Sequence, residues 1–324
     1  MEESRPIDVI QHYIHNFSLN NCAHGNQGYN RILLQLFGYM GHGKSSLINS
    51  CKYVLGDGPY QIFAKAEESY GGVTTSRTAY QLTPTITIVD NRGCSTMNSF
   101  QTGEIYAQLG NFIPLNIKVI WPQSYQEMIN RVEESEMDPN FKDYLVPVFV
   151  YSVTKDLAEQ ERQEIKTFLK NCRTMTGIYP LIILTNKTSG DFYQFEKAFK
   201  LLGAEQVMAL ENYTAEDHMR SRGRHTEVLK FLYNALEDVS FQMREQRNPK
   251  PINPINQTTK EIFGFSLIPT SLCHKITSAK QTQYGVTVTS KANPSHTHTQ
   301  KHPPNRVVEA AHNTVLIIVL GETL

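Results

Sequence analysis

The sequence has no long apolar run. The longest, VLIIVL near the C-terminal end, is far shorter than the ~20 apolar residues that a membrane-spanning helix needs. We therefore expect no membrane span. The first residues, MEESRPIDVIQ, are acidic and polar, so we expect no secretory signal peptide there.

The sequence also has few cysteines and no net charge. The 5 cysteines are scattered, odd in number and without a C-x-x-C pair, which is typical of reduced thiols and predicts a cytoplasmic protein. Lys plus Arg and Asp plus Glu both number 31, so the net charge is zero. This balance, without a basic tract, argues against nucleic acid or a membrane surface as a partner.

The sequence does contain an apolar strand, a glycine-rich turn and a helical pattern in succession. The apolar run 31–37 stops at Gly38, and helical spacing begins near Lys44. The turn matches G-x-x-x-x-G-K-[ST], the phosphate-binding P-loop. Its glycines would turn backbone N–H groups inward around a phosphate, and Lys44 would reach the β- and γ-phosphates. The alternative is an ordinary glycine-rich turn between a strand and a helix.

A second element, the sequence DNRG, follows the β-branched run 85–89. It matches the D-x-x-G pattern, in which the Gly93 N–H would touch the γ-phosphate. The alternative is a solvated turn at the end of a strand. The residues predicted to bind the phosphates are Gly38, Gly41, His42, Gly43, Lys44, Ser45, Ser46 and Gly93.

Three oxygen-bearing side chains form the predicted magnesium site. Ser45 would bind Mg²⁺ through its hydroxyl, and Asp90 would bind it through water. The long polar loop between the P-loop helix and the next strand would add a threonine that senses the γ-phosphate. We narrowly prefer Thr74 to Thr75 for this role, and the alternative is that both are ordinary loop residues.

Strand-like and helical patterns alternate over residues 31–245 and predict an α/β fold. This fold is a mainly parallel sheet flanked by helices, a P-loop NTPase of the G-domain type. Residues 5–18 have the spacing of an amphipathic helix, so residues 1–30 are predicted to pack as a helix and loop on this domain. Residues 246–324 are rich in Pro, Asn, Thr, Ser and His, which predicts a mostly disordered tail.

The candidate site residues all follow predicted strands. The P-loop, Asp90, Asn186 and Asn212 each come at the C-terminal end of an apolar run. Ligands of parallel α/β sheets bind at the carboxyl ends of the strands. One site can therefore contain all four elements.

Base selection is predicted at the end of the apolar run PLIIL. Asn186 and Lys187 match the start of the N-K-x-D pattern, with which GTPases contact guanine. Ser189 stands where the aspartate should be, and Asp191 lies two residues beyond. We predict guanine over adenine, with looser selection unless the Asp191 carboxylate turns in. The alternative is that Asn186 only caps the following helix.

These motifs resemble the interferon-induced protein 44 family, whose members carry a G domain with incomplete GTPase motifs. The resemblance lies in Gly38–Ser45, DNRG, TNKT and the strand-end ENYT, and it covers about residues 5–245. It implies a cytoplasmic, immune-associated protein that binds GTP or GDP with Mg²⁺. It also implies that Asn212 and Tyr213 lie beside the base. Longer members carry an N-terminal TLDc domain, which we do not recognise in this sequence, and the tail has no counterpart that we recognise.

The residues that would catalyse hydrolysis are not evident. In small GTPases a glutamine after D-x-x-G orients the attacking water, whereas here Cys94 follows Gly93. Met40 occupies a loop position where small GTPases keep glycine, and its bulk should hinder an arginine finger. Gln101 or His42 could substitute, but each is better explained as structural. We assign no catalytic residue and expect slow turnover at best.

Three functions therefore remain open. The first is a GTP-binding switch or slow GTPase, which the predicted magnesium site favours. The second is a non-hydrolysing nucleotide-binding scaffold that interacts with an unidentified protein or with itself, which the missing glutamine favours. The third is an ATP-dependent enzyme of the kinase type, which would need lid arginines. The cluster of Arg220, Arg222 and Arg224 is better explained as a solvated basic loop.

Overall fold

The computed structural model describes residues 7–65, 76–95, 97, 99–120, 127 and 142–245. Thr74, Thr75 and the predicted tail lie outside these residues. The side chain of Gln101 also lies outside the described part. The predicted domain boundaries therefore stay predictions.

A seven-stranded sheet forms the centre of the described part. Its strand order is β5-β3-β4-β2-β6-β7-β8. Strands β4, β2, β6, β7 and β8 are parallel, whereas β3 pairs antiparallel with β4, and β5 pairs antiparallel with β3. A further short strand, β1, precedes the sheet in the chain. The strands are β1 (Ala23–Asn26), β2 (Arg31–Phe37), β3 (Ser76–Gln81), β4 (Ile86–Asp90), β5 (Ile117–Lys118), β6 (Asp143–Ser152), β7 (Leu181–Thr185) and β8 (Gln206–Ala209).

Helices connect the parallel strands and cover both faces of the sheet. The prediction of a mainly parallel sheet flanked by helices is confirmed. Short 3-10 turns lie at Leu19–Asn21 and Lys187–Ser189. The helices are α1 (Ile7–Asn16), α2 (Lys44–Leu55), α3 (Ser99–Leu109), α4 (Glu159–Thr176), α5 (Phe192–Leu201) and α6 (Arg222–Gln242).

Two hydrophobic cores lie on opposite faces of the sheet. Strand β6 shows why: Val148 and Val150 pack into the core formed with α1, α2 and α6, whereas Phe149 and Tyr151 pack into the core formed with α3, α4 and α5. Successive side chains of a strand point to opposite faces, so a strand buried on both sides needs a continuous apolar run. This explains the apolar sequences of β2, β6 and β7.

Helix α1 packs against α6. Its Ile10 and Ile14 are buried, and the Tyr13 hydroxyl donates to Glu237 Oε1 at 2.8 Å. One face of α1 is therefore buried against α6.

The strand register brings the two phosphate motifs together. Strand β2 lies between β4 and β6, and Leu36 on β2 is paired with Asp90 on β4. The P-loop begins two residues after Leu36. The carboxyl end of β4 therefore lies beside the start of the P-loop.

Candidate nucleotide-binding site

The glycine-rich turn adopts a backbone that only glycine adopts readily. Gly38, Gly41 and Gly43 have φ angles of 137°, 74° and 87°. A Cβ on Gly38 would lie 2.3 Å from the carbonyl oxygen of Val150, so a side chain is excluded there. Gly43 is the N-cap residue of α2, and it has no side chain that could accept a hydrogen bond from the first N–H groups of the helix. The first backbone N–H groups of α2 therefore lack a side-chain cap, as an anion site at a helix N-terminus requires.

The Lys44 ammonium lies inside this turn. Its side chain is buried, and Nζ donates to the carbonyl oxygens of Gly38 at 3.0 Å and Tyr39 at 2.8 Å. Burial lowers the pKa of Lys44, while the nearby Asp90 carboxylate raises it. An ammonium has three N–H donors, so two loop carbonyls leave one donor for an anion.

Asp90 and Ser45 lie together at the edge of the loop. Ser45 Oγ donates to Asp90 Oδ2 at 2.9 Å. Asp90 is 2% exposed, and its second oxygen, Oδ1, is buried without a hydrogen-bond partner. Burial raises the pKa of Asp90, and both the Lys44 charge and the Ser45 hydrogen bond oppose this rise.

These two side chains fit a magnesium ion. Mg²⁺ prefers oxygen ligands and is usually bound by one or two protein groups together with water and phosphates. The unpartnered Asp90 oxygen is a buried acceptor that such an ion or its water would satisfy. The described residues contain no cluster of three or more His, Cys, Asp or Glu side chains that could bind a metal without a nucleotide.

The His42 side chain anchors the loop to the sheet. Its Nδ1 accepts a hydrogen bond from the Ser152 N–H at 3.2 Å, and its carbonyl oxygen accepts one from Thr185 Oγ1 at 3.0 Å. The ring packs 4.5 Å from the Tyr151 ring. Burial, with the Lys44 charge, lowers the pKa of His42 to about 3. His42 is therefore neutral at physiological pH, and its buried ring contacts strand β6.

Gly93 lies directly against the P-loop lysine. A Cβ on Gly93 would be 2.9 Å from Lys44 Nζ and 3.4 Å from Met40 Cγ. The D-x-x-G element thus lies against the glycine-rich turn and Lys44. Ser46 lies in the first turn of α2, where its carbonyl oxygen accepts a hydrogen bond from Ser50 Oγ at 2.8 Å.

A buried polar network, not foreseen from the sequence, supports the D-x-x-G element. Arg77 on β3 is fully buried; its Nε donates to Asn91 Oδ1 at 3.0 Å and its Nη2 to Gln35 Oε1 at 2.9 Å. The backbone N–H of Arg92 donates to Gln108 Oε1 at 2.9 Å. The one available signal was Gln35, a polar residue inside the apolar run RILLQLF.

The turn predicted to select the base follows β7. Asn186 precedes the 3-10 turn Lys187–Ser189 with a φ of 56°, and its side chain makes no cap hydrogen bond to that turn. The cap of α5 is Asp191, whose Oδ1 accepts a hydrogen bond from the Gln194 N–H at 3.3 Å. The alternative that Asn186 caps the following helix is therefore wrong. Lys187 Nζ forms an ion pair with Glu227 at 2.5 Å.

The ENYT loop contacts the P-loop through Asn212. Its Nδ2 donates to the Gly43 carbonyl oxygen at 3.2 Å, and the side chain is 5% exposed. Tyr213 is fully buried, with its ring 4.9 Å from that of Tyr53 and its N–H donating to Ser50 Oγ at 2.9 Å. The structure therefore brings Asn212 to the P-loop, whereas the Tyr213 ring has no exposed surface for a base. That the two residues lie beside a base stays a prediction.

No family model matches the chain, and no curated protein matches it. Solved structures do match. Two mutation variants of SsGBP share 18% and 17% identity, each with a TM-score of 0.32, over 66% of this chain. The matches span only 57% and 58% of the SsGBP chains.

A third match is Toc33 from Arabidopsis thaliana in complex with GDP and Mg²⁺. It has 11% identity and a TM-score of 0.37, over 69% of this chain and 90% of Toc33. Because these TM-scores are low, we base the fold assignment on the strand order and the P-loop geometry. Among the described helices, none is long and apolar enough to cross a membrane.

Proposed function

We propose that this protein binds a guanine nucleotide with Mg²⁺ at the P-loop and hydrolyses GTP slowly, if at all. The observation that carries the proposal is the position of Lys44 Nζ. It is bonded to the carbonyl oxygens of Gly38 and Tyr39, within a loop whose backbone needs glycines. A buried ammonium with one remaining donor is suited to a phosphate oxygen.

The same arrangement supports a role for Mg²⁺. A nucleotide phosphate at Lys44 would lie near Ser45 and Asp90, whose side chains are hydrogen-bonded to each other. The ion would be bound by the Ser45 hydroxyl, by Asp90 through water and by the phosphates. Thr74 remains the proposed threonine of this set. When bound, Mg²⁺ would neutralise phosphate charge.

Guanine selection remains a proposal from the N-K motif and the family resemblance. Asn186 is the N-cap residue of the 3-10 turn Lys187–Ser189, but its side chain makes no cap hydrogen bond there. Asp191 is engaged at the N-terminus of α5, so the proposed guanine site would lack the usual aspartate. We therefore expect a modest preference for GDP over ADP, which competition between labelled GDP and ADP measures directly.

Slow hydrolysis follows from the residue after D-x-x-G. Cys94 is 2% exposed, and burial raises the pKa of its thiol to about 11. A buried, protonated thiol is a poor group to orient water. This favours the second candidate function, a nucleotide-binding scaffold without hydrolysis. Single-turnover phosphate release distinguishes the two functions.

An ATP-dependent enzyme of the kinase type is less well supported. Arg220 donates to the carbonyl oxygens of Gly56 at 3.0 Å and Gly58 at 3.1 Å, and Arg224 forms an ion pair with Asp217. These two arginines make structural contacts. Membership in the interferon-induced protein 44 family, an immune role, a cytoplasmic location and a protein partner remain proposals that rest on the resemblance and the composition.

The decisive experiment is nucleotide affinity, with Mg²⁺, for the wild type and the Lys44→Ala variant. We expect at least a tenfold loss, because one charge-assisted phosphate contact contributes about 1.5–3 kcal/mol. The matched control is Lys52→Ala on the same helix, whose Nζ donates to the Gln81 carbonyl oxygen at 2.7 Å. Equal affinities for all three proteins, or no binding of GDP, GTP or ATP by the wild type, would refute the proposal.

A further inference from the structure

The segment after D-x-x-G is bound to the P-loop by main-chain contacts. The Met40 N–H donates to the Cys94 carbonyl oxygen at 3.0 Å. Tyr39 and Cys94 form an isolated parallel β-bridge beyond the ends of β2 and β4. The P-loop is thus paired with the chain that follows Gly93.

A side chain of α4 joins the same two segments. Glu164 Oε2 accepts hydrogen bonds from the Tyr39 hydroxyl at 2.9 Å and from the Met97 N–H at 3.1 Å. Burial and the bond to Glu164 raise the pKa of Tyr39, so its hydroxyl stays a donor. We call the contacts among Tyr39, Met40, Cys94, Met97 and Glu164 the clasp.

The clasp reduces the number of backbone N–H donors in the P-loop that are available to a phosphate. The Met40 N–H is bonded to a carbonyl oxygen and is not available to an anion. That oxygen carries partial negative charge, so it repels a phosphate that approaches this side of the loop. Gly93, the predicted γ-phosphate contact, also lies directly over Lys44 Nζ. In the predicted site these effects would act on the γ-phosphate side, whereas a diphosphate would require only the loop, Lys44 and the start of α2.

We propose that Glu164 is a positioning residue that keeps the clasp closed and thereby favours a nucleoside diphosphate over a triphosphate. This inference rests on the proposed function, since it concerns the same phosphate site. A triphosphate must open the contact between Met40 and Cys94, and Glu164 opposes this opening by binding residues on both sides of it. Binding of GTP therefore breaks contacts of the clasp, whereas binding of GDP leaves them intact.

The test is the ratio of the affinities for a non-hydrolysable GTP analogue and GDP, measured with Mg²⁺ on one preparation. Because both affinities come from the same sample, the ratio does not depend on the folded fraction. Glu164→Ala removes both side-chain contacts of the clasp and should shift the ratio about three- to tenfold toward the triphosphate, the size of about one net hydrogen bond. Tyr39→Phe removes one donor and should shift the ratio in the same direction by less.

Two further variants separate positioning from general stability. In Glu164→Gln the amide oxygen can still accept hydrogen bonds, so the ratio should return toward the wild-type value. Glu161→Ala is the matched control: Glu161 lies on the same helix and accepts a hydrogen bond from the Tyr151 hydroxyl at 2.8 Å, outside the clasp. It should leave the ratio unchanged.

The outcomes distinguish the inference from the proposed function. If the wild type binds GDP and Lys44→Ala weakens that binding, but Glu164→Ala leaves the ratio unchanged, the inference alone is refuted. An equal shift in Glu161→Ala also refutes it. If the wild type binds neither nucleotide, the proposed function fails and the inference with it.

Discussion

His42 should make the stability of this protein sensitive to acid. Its ring is 5% exposed, and Nδ1 accepts the Ser152 N–H, so the folded protein has no place for a second ring proton. Burial lowers the pKa of His42 from 6.5 to about 3. An unfolded chain takes up that proton near pH 6.5, whereas the folded chain does not. The stabilisation is therefore fully present above about pH 6.5 and is lost as the pH falls toward about 3.

The size of the effect follows from linkage. Between the two pKa values, each pH unit changes the free energy of unfolding by about 1.4 kcal/mol. Lowering the pH from 7 to 5 should therefore destabilise the folded state by about 2 kcal/mol through His42 alone. Other groups also titrate in this range, so the His42 contribution must be taken as the difference between wild type and variant.

Urea denaturation at pH 7 and pH 5 measures this difference. In His42→Asn the side-chain oxygen can still accept the Ser152 N–H, but nothing titrates. The variant loses ring packing against Tyr151 at both pH values, so only its pH dependence is informative. The fall in stability should be about 2 kcal/mol smaller than in the wild type. His24→Asn, at an exposed position on β1, is the control and should behave like the wild type.

Two results would refute this reasoning. One is an equal fall in stability for the wild type and His42→Asn. The other is an NMR titration in which His42 of the folded protein takes up its proton near pH 6.5.

Three substitutions test other contacts. Gly93→Ala would place a Cβ 2.9 Å from Lys44 Nζ. The lysine must shift from this position, so we expect at least tenfold weaker GDP binding by calorimetry; unchanged GDP affinity would contradict this. Gly38→Ala would place a Cβ 2.3 Å from the rigid Val150 carbonyl, so chemical denaturation should show a loss of about 3 kcal/mol or more. Asp191→Ala removes the cap of α5 and should reduce stability by about 1 kcal/mol. It should also leave the preference for GDP over ADP unchanged, and a changed preference would show that Asp191 contacts the base.

The buried strands of the parallel sheet and the glycine-rich turn were predictable from local sequence, whereas β1, α3 and β5 were not predicted. The apolar run 31–37 has to be buried on both faces, and the glycines at 38, 41 and 43 mark a backbone with positive φ. Both features depend on neighbours in the chain, so periodicity and residue type suffice to find them. The pairing of β2 with β4, which brings Asp90 to the P-loop, does not follow from the alternation of strands and helices, because β3 lies between these two strands in the chain.

Only the tertiary structure decided which side chains meet across the chain. Nothing local to Glu164 indicates that it binds both Tyr39 and Met97. The buried Arg77 and the neutral His42 likewise owe their environments to distant strands. Their charge and bonding depend on burial and on partners far along the chain, which sequence spacing does not encode.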